Sequence, residues 1–236
     1  MFDRTGTVVS GRPTGILRAV LWDMDGTLLE SENLWDIGVR ELSLHLGGPM
    51  SEETRLATIG ASSHNALTTV FAALNLDPHP PALADAKDWL YTRMGELFAA
   101  GLPWRPGAQA ALRTVRASGL GSALVTNTDR DLCEFALDTL GREHFDHSVC
   151  GDEVPAGKPD PAPYLKAAEL LGVTPADCLA VEDSPTGAAA ADAAGCTVLV
   201  IPSITDVPAS ANRIFRTTLE GLTESDLFAL HRREVA

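Results

Sequence analysis

The sequence predicts an α/β protein: a three-layer core around a parallel sheet, with a helical-bundle cap domain inserted into it. Two observations predict this. Short apolar runs (AVLW at 19–22, SALV at 122–125, CLAVE at 178–182, TVLVIP at 197–202) alternate with helical stretches and lack polar alternation, as strands buried on both faces do. Between the first two runs, residues 34–103 contain no strand-like segment, and apolar residues recur there every three or four positions.

In chain order, residues 1–15 are polar and read as an N-terminal tail rather than a signal segment. Residues 16–33 and 104–236 form the core domain, and 34–103 the cap. Within the cap, Trp35, Val39, Leu42 and Leu46 fall on one helical face, as do Leu67, Val70, Phe71 and Leu74, and then Leu90, Met94 and Leu97. Core helices are announced by Pro106-Gly107, Asp160-Pro161 and Ser184-Pro185, each just before a helical pattern. The helix in GAAAADAAG has such small side chains that it is expected to lie close against the sheet. Residues 204–223 read as loop-rich, and ESDLFALHRREV as a final short helix.

A chain of 236 residues with 45% hydrophobic content can bury a large core. Its net charge of -14 repels polyanions and argues against nucleic acid as a partner. No apolar run reaches the roughly 20 residues needed to cross a bilayer, so a cytoplasmic protein with no membrane partner is expected, as a monomer or weak dimer. Cys133, Cys150, Cys178 and Cys196 stand far apart without metal-ligand spacing and read as reduced core thiols. The acidic balance also repels small phosphate esters, so any phosphate site needs its own cation.

Four segments carry chemistry: Asp23-Met24-Asp25-Gly26-Thr27, Val125-Thr126-Asn127, Lys158-Pro159-Asp160-Pro161 and Val181-Glu182-Asp183-Ser184. Three of them directly follow an expected strand. The carboxyl ends of parallel strands border the ligand crevice of such sheets, so these residues can converge. Asp23, Asp25, Glu182 and Asp183 at close range demand a cation, and their all-oxygen donor set suits Mg²⁺. Lys158 adds a positive charge, and Thr126 and Asn127 add donors for phosphoryl oxygens. The D-x-D spacing lets Asp23 attack phosphorus while Asp25 serves the leaving oxygen as acid and then water as base.

In this order and spacing, DMDGT, VTN, KPDP and VEDSPTG resemble the four signature motifs of the haloacid dehalogenase (HAD) superfamily, over residues 16–202. The helical insertion resembles the cap type of phosphoglycolate phosphatases, sugar and polyol phosphatases and beta-phosphoglucomutase. The resemblance implies a Rossmann-like core, with Asp23 as nucleophile, Asp25 as acid and base, and Thr126 and Lys158 holding phosphate. It implies Mg²⁺ bound by Asp23, the Asp25 main-chain carbonyl and Asp183, with Glu182 near the metal waters. A phosphatase of small phosphorylated metabolites (sugar, polyol or glycolate-like) follows.

Asp25 disfavours a dehalogenase, which lacks that residue. A beta-phosphoglucomutase carries arginine where Ser63 stands and histidine where Trp35 stands, so a sugar phosphomutase is the second reading. LLESENLW resembles the D-S-E-P-L-W stretch of sugar and polyol phosphatases. A receiver-type phospho-accepting domain uses similar groups but is shorter and has no insertion. Cap residues His64, Lys87, Arg93 and Arg105, with Trp35 and Trp89, are candidates to select substrate by facing the crevice when the cap closes. Against this stands the plainer reading of most as solvated surface or cap core and of the tryptophans as packing.

Overall fold

The computed structural model describes residues 15–233, so the expected tail lies outside the described residues except for Gly15. Six strands form one sheet: β1 (Ala19–Trp22), β2 (Gly121–Val125), β3 (His147–Val149), β4 (Cys178–Glu182), β5 (Thr197–Val200) and β6 (Arg213–Phe215). Their order is β3-β2-β1-β4-β5-β6, and every pair is parallel. Trp22 stands beside Leu124 on one side and Val181 on the other. The central strands therefore end level, and Asp23, Thr126 and Asp183 emerge at the same sheet edge.

Side chains alternate across the sheet. Ala19, Leu21, Ala123 and Ala180 pack with Tyr164 and Ala168 of α7 (Ala162–Leu170) and with Ala188 and Ala191 of α8 (Pro185–Ala194). Val20, Trp22, Leu124 and Leu179 face the other way, toward α5 (Ala108–Ser118), α6 (Arg130–Leu140) and α9 (Glu224–Arg232). Burying each large side chain contributes about 1.5–3 kcal/mol, which outweighs the weak propensities of these short strands. Alanine, not bulk, lines α8 against the sheet, as its sequence implies.

Four helices stand between β1 and α5: α1 (Glu32–His45), α2 (Glu52–Leu56), α3 (Ser63–Ala73) and α4 (Pro80–Ala99). The periodic residues Val39, Leu42, Leu67, Val70, Phe71, Leu90 and Met94 are all buried. Gly38 lets α1 approach α4, since a Cβ there would meet Met94 Sδ at 2.5 Å. Serine hydroxyls cap two of these helices, with Ser51 accepting from the Thr54 amide and Ser62 from the Asn65 amide.

Two strands depart from the sequence expectation. β6 lies inside the segment read as loop-rich, and β3 went unread. Both are edge strands of three residues, half exposed, so neither shows an unbroken apolar run. The final helix stops at Arg232, where Arg233 turns left-handed at φ 56°.

Candidate active site

Asp23 follows β1 directly, and its amide donates to Val181 O at 3.0 Å, which ties it to β4. Gly26 closes the turn beyond it with φ 83°. A Cβ at Gly26 would meet Asp183 Oδ2 at 2.1 Å, so the glycine permits both the turn and the approach of the fourth motif. Lys158 comes from the loop before α7, and its bond to Pro159 is cis. Its ammonium lies 2.6 Å from Asp23 Oδ1 and 2.6 Å from Glu182 Oε1. The Tyr164 hydroxyl donates to that same Glu182 oxygen.

Asp23, Asp25, Thr126, Asn127, Lys158 and Asp183 line one cavity of about 70 Å³. Glu182 lies behind Lys158, fully buried, with Oε1 accepting from the lysine and the tyrosine and Oε2 from the Asp183 amide (3.3 Å) and the Ser184 hydroxyl (3.5 Å). Asp25 is held by four donors: Ser31 (2.6 Å) and Trp35 Nε1 (3.0 Å) on Oδ1, Thr128 (2.8 Å) and Thr126 (3.3 Å) on Oδ2. Asn127 Nδ2 donates to Gly60 O (3.0 Å) and Lys158 O (3.1 Å), while its Oδ1 accepts from the Lys158 amide (2.8 Å). This amide thus joins the insertion to the lysine loop.

Carboxylate oxygens of Asp23, Glu182 and Asp183 lie within 4.8 Å of one another, all buried. Burial first, then repulsion from Glu182, pushes the Asp23 carboxyl up to about 7 against the pull of Lys158. Asp183 rises well above its ordinary range through burial and the neighbouring Asp23 and Glu182, while Ser203 donates to its Oδ2. Burial opposes the Lys158 ammonium, yet Asp23 and Glu182 outweigh it and raise its pKa. Asp23 Oδ2 is buried without a hydrogen-bond partner. A crowded oxygen-only donor set with one orphaned oxygen fits a hard divalent cation such as Mg²⁺.

Trp35 does more than pack. It meets Phe98 edge-on at 6.1 Å, and it also donates to Asp25. Ser63 donates to Asp129 Oδ1 at 3.2 Å and bonds the Tyr91 hydroxyl, so its position offers no cation, and Trp35 offers no imidazole. Lys87 pairs with Asp129 (2.5 Å), Arg93 with Glu41 (2.6 Å) and Arg105 with Glu30 (2.5 Å). His64 is exposed, and Trp89 stacks on His45 at 4.8 Å. Sequence reasoning missed Glu32, Arg55, Thr128, Tyr164 and Ser203. Glu32 stood within LLESENLW, whereas Arg55 carries no motif signal and is betrayed only by its burial.

Residues 17–195 match the family model described as haloacid dehalogenase-like hydrolase. A phosphorylated carbohydrates phosphatase of Thermotoga maritima is 32% identical over 76% of this chain and 82% of its own. A phosphoglycolate phosphatase of Thiobacillus denitrificans is 33% identical over 79% and 83%. Crystalline CbbY from Rhodobacter sphaeroides, in complex with phosphate, superposes with a TM-score of 0.77 at 29% identity over 90% of this chain and 99% of that one. Family model, relatives and fold agree, and the chain belongs to the haloacid dehalogenase-like hydrolases.

Proposed function

We propose that this hydrolase is a Mg²⁺-dependent phosphomonoesterase, acting on a small phosphorylated sugar, polyol or glycolate-like metabolite through an aspartyl phosphate on Asp23. The observation that carries the reading is the divided state of the Asp23 carboxylate. Its Oδ1 is fixed by Lys158, and its Oδ2 is buried without a partner at a cavity edge. Such an oxygen is costly to keep unless a ligand uses it. The names of the relatives, which are phosphatases of phosphorylated carbohydrate and of phosphoglycolate, support the substrate class.

Asp23 attacks phosphorus, the ester P–O bond breaks, and Asp25 gives its proton to the departing alkoxide. Water then attacks the aspartyl phosphate, Asp25 takes the water proton, and inorganic phosphate leaves with Asp23 restored. Acid–base assistance of this kind contributes roughly 10²- to 10⁴-fold. Lys158 neutralises phosphoryl charge, with Glu182 and Tyr164 holding it in place. Thr126 and Asn127 border the phosphoryl position. Asp23, the Asp25 main-chain carbonyl and Asp183 would hold Mg²⁺, with Glu182 beside them, and the bound ion would supply further charge neutralisation.

Residues 34–103 act as a cap over the core of 16–33 and 104–236, since Trp35 reaches Asp25 from the insertion and Asn127 bonds Gly60 within it. No helix among the described residues is long and apolar enough to cross a membrane, and the four cysteines are buried free thiols. A monomer or weak dimer in the reducing cytoplasm suits them. The test is phosphate release from a panel of phosphorylated metabolites with Mg²⁺. Asp23→Asn or a chelator should abolish release in folded protein, and equal release from the variant would remove Asp23 as nucleophile.

A further inference from the structure

Beyond Asp23 the cavity is closed by Glu32 at the start of α1 and by Trp35, Val39, Arg55 and Leu90 of the insertion. Among the described residues Arg55 is the only cation lining it besides Lys158, and its charge is already answered. Its Nη2 donates to Glu32 Oε2 (3.1 Å) and Glu32 O (3.2 Å), its Nε to Asp36 Oδ1 (3.0 Å) and its Nη1 to Thr58 (3.0 Å). Asp36 also receives Arg40 (2.9 Å), which in turn binds Glu52 (2.7 Å). Two guanidiniums thus face three carboxylates, and the network carries no surplus positive charge.

The cavity lining holds four carboxylates (Asp23, Asp25, Glu32 and Asp183) against two cations, so a bound dication only restores neutrality before substrate enters. One phosphoryl group can be met by Lys158 and the metal. A second anion on the same substrate would find Glu32 at the far end and no unpaired cation, at a cost of burial without compensation. Glu32 is only 5% exposed. Arg55 occupies its Oε2, and among the described residues no hydrogen bond reaches its Oε1. Burial, then the neighbouring Asp25, raises its pKa, as expected of a carboxylate short of donors. Val39, Ala66 and Leu90 give the remaining wall an apolar surface suited to a carbon chain.

Resting on the phosphomonoesterase reading above, we infer that Glu32, braced by Arg55, determines specificity: its free oxygen accepts a hydroxyl of the substrate's carbon chain. The preferred class is the neutral hydroxylated monophosphate, an alditol or sugar monophosphate. Substrates with a carboxylate or a second phosphate are rejected. A site built to bond a hydroxyl discriminates through the group left unpaired when the hydroxyl is missing.

The experiment compares kcat/KM for sorbitol phosphate, phosphoglycolate and fructose bisphosphate in the wild type and in Glu32→Gln, with folding followed by thermal unfolding. The wild type should favour sorbitol phosphate by roughly ten- to a hundredfold, the worth of one hydrogen bond to a charged group. Glu32→Gln should narrow that ratio by raising KM for sorbitol phosphate and lowering it for the anionic pair. Phosphate release with preference for phosphoglycolate or the bisphosphate would overturn the assignment to Glu32 while leaving the phosphatase reading intact. Release from no ester at all would remove both. The wild-type preference decides the matter even where the variant does not fold.

Discussion

Lys158 stands between Asp23 and Glu182, 2.6 Å from each, with 3% of its side chain exposed. A buried cation so placed holds two carboxylates that would otherwise repel each other in a low-dielectric interior. Lys158→Met keeps the volume and removes the charge. It should abolish phosphate release and destabilise the metal-free protein by about 3–5 kcal/mol, the cost of leaving buried charge unanswered. Urea unfolding in the presence of chelator measures this, and an unchanged midpoint would show that the pair carries no such burden. Asp23, Asp25, Thr126, Asn127, Lys158, Glu182 and Asp183 were legible because each sits in a short motif at an expected strand end or helix start. Tyr164 and Ser203 were not. Their importance comes from which carboxylate each reaches, Glu182 and Asp183 respectively, and that is fixed by the fold rather than by neighbouring letters.

At the scale of the element, α8 shows how a helix can serve a site it never enters. Ser184 caps it by accepting from the Gly187 amide at 3.0 Å, and Gly187 packs against the Glu182 carboxylate. A Cβ at Gly187 would stand 2.0 Å from Glu182 Oε1. Gly187→Ala should therefore displace Glu182 and with it Lys158, costing about 1–3 kcal/mol of overpacking together with most of the activity. Gly195, at the far end of α8, has φ 94°, and a Cβ added there would meet nothing within 4 Å. Gly195→Ala should cost about 1–2 kcal/mol of backbone strain and leave turnover intact. Thermal unfolding and steady-state rates on both variants separate the two effects, and equal activity in the pair would deny the link from Gly187 to Lys158. The small-residue run of α8 was readable in the sequence, as were β1, β2, β4 and β5, because burial on both faces leaves an unbroken apolar run. β3 and β6 were not, because an edge strand of three half-exposed residues carries too few buried positions to be told from a loop.

For the whole molecule, the cavity of about 70 Å³ is walled by the insertion on one side and the sheet edge on the other. The proposed phosphorylated substrates exceed this volume, so their entry would require these walls to part. Contacts that resist include Lys87 and Ser63 with Asp129, Trp35 with Asp25, and Asn127 with Gly60. Phosphate with Mg²⁺ should bias the molecule toward the joined form. Amide hydrogen exchange should then slow near Gly60 and near Asn127, with little change at distant β6. Exchange that is identical with and without these ligands would count against a moving cap. The insertion itself was legible as a break in strand rhythm. Its hold on Asp25 was not, since Trp35 reaches that carboxylate only once α1 has packed.

The Asn127 side chain has one further implication. A single amide joins Gly60 of the insertion to the main chain of Lys158, so parting the two would free a bond from the same group that steadies the lysine loop. Enclosure and the seating of the lysine backbone would then be coupled through one side chain, while the ammonium itself stays tied to Asp23 and Glu182.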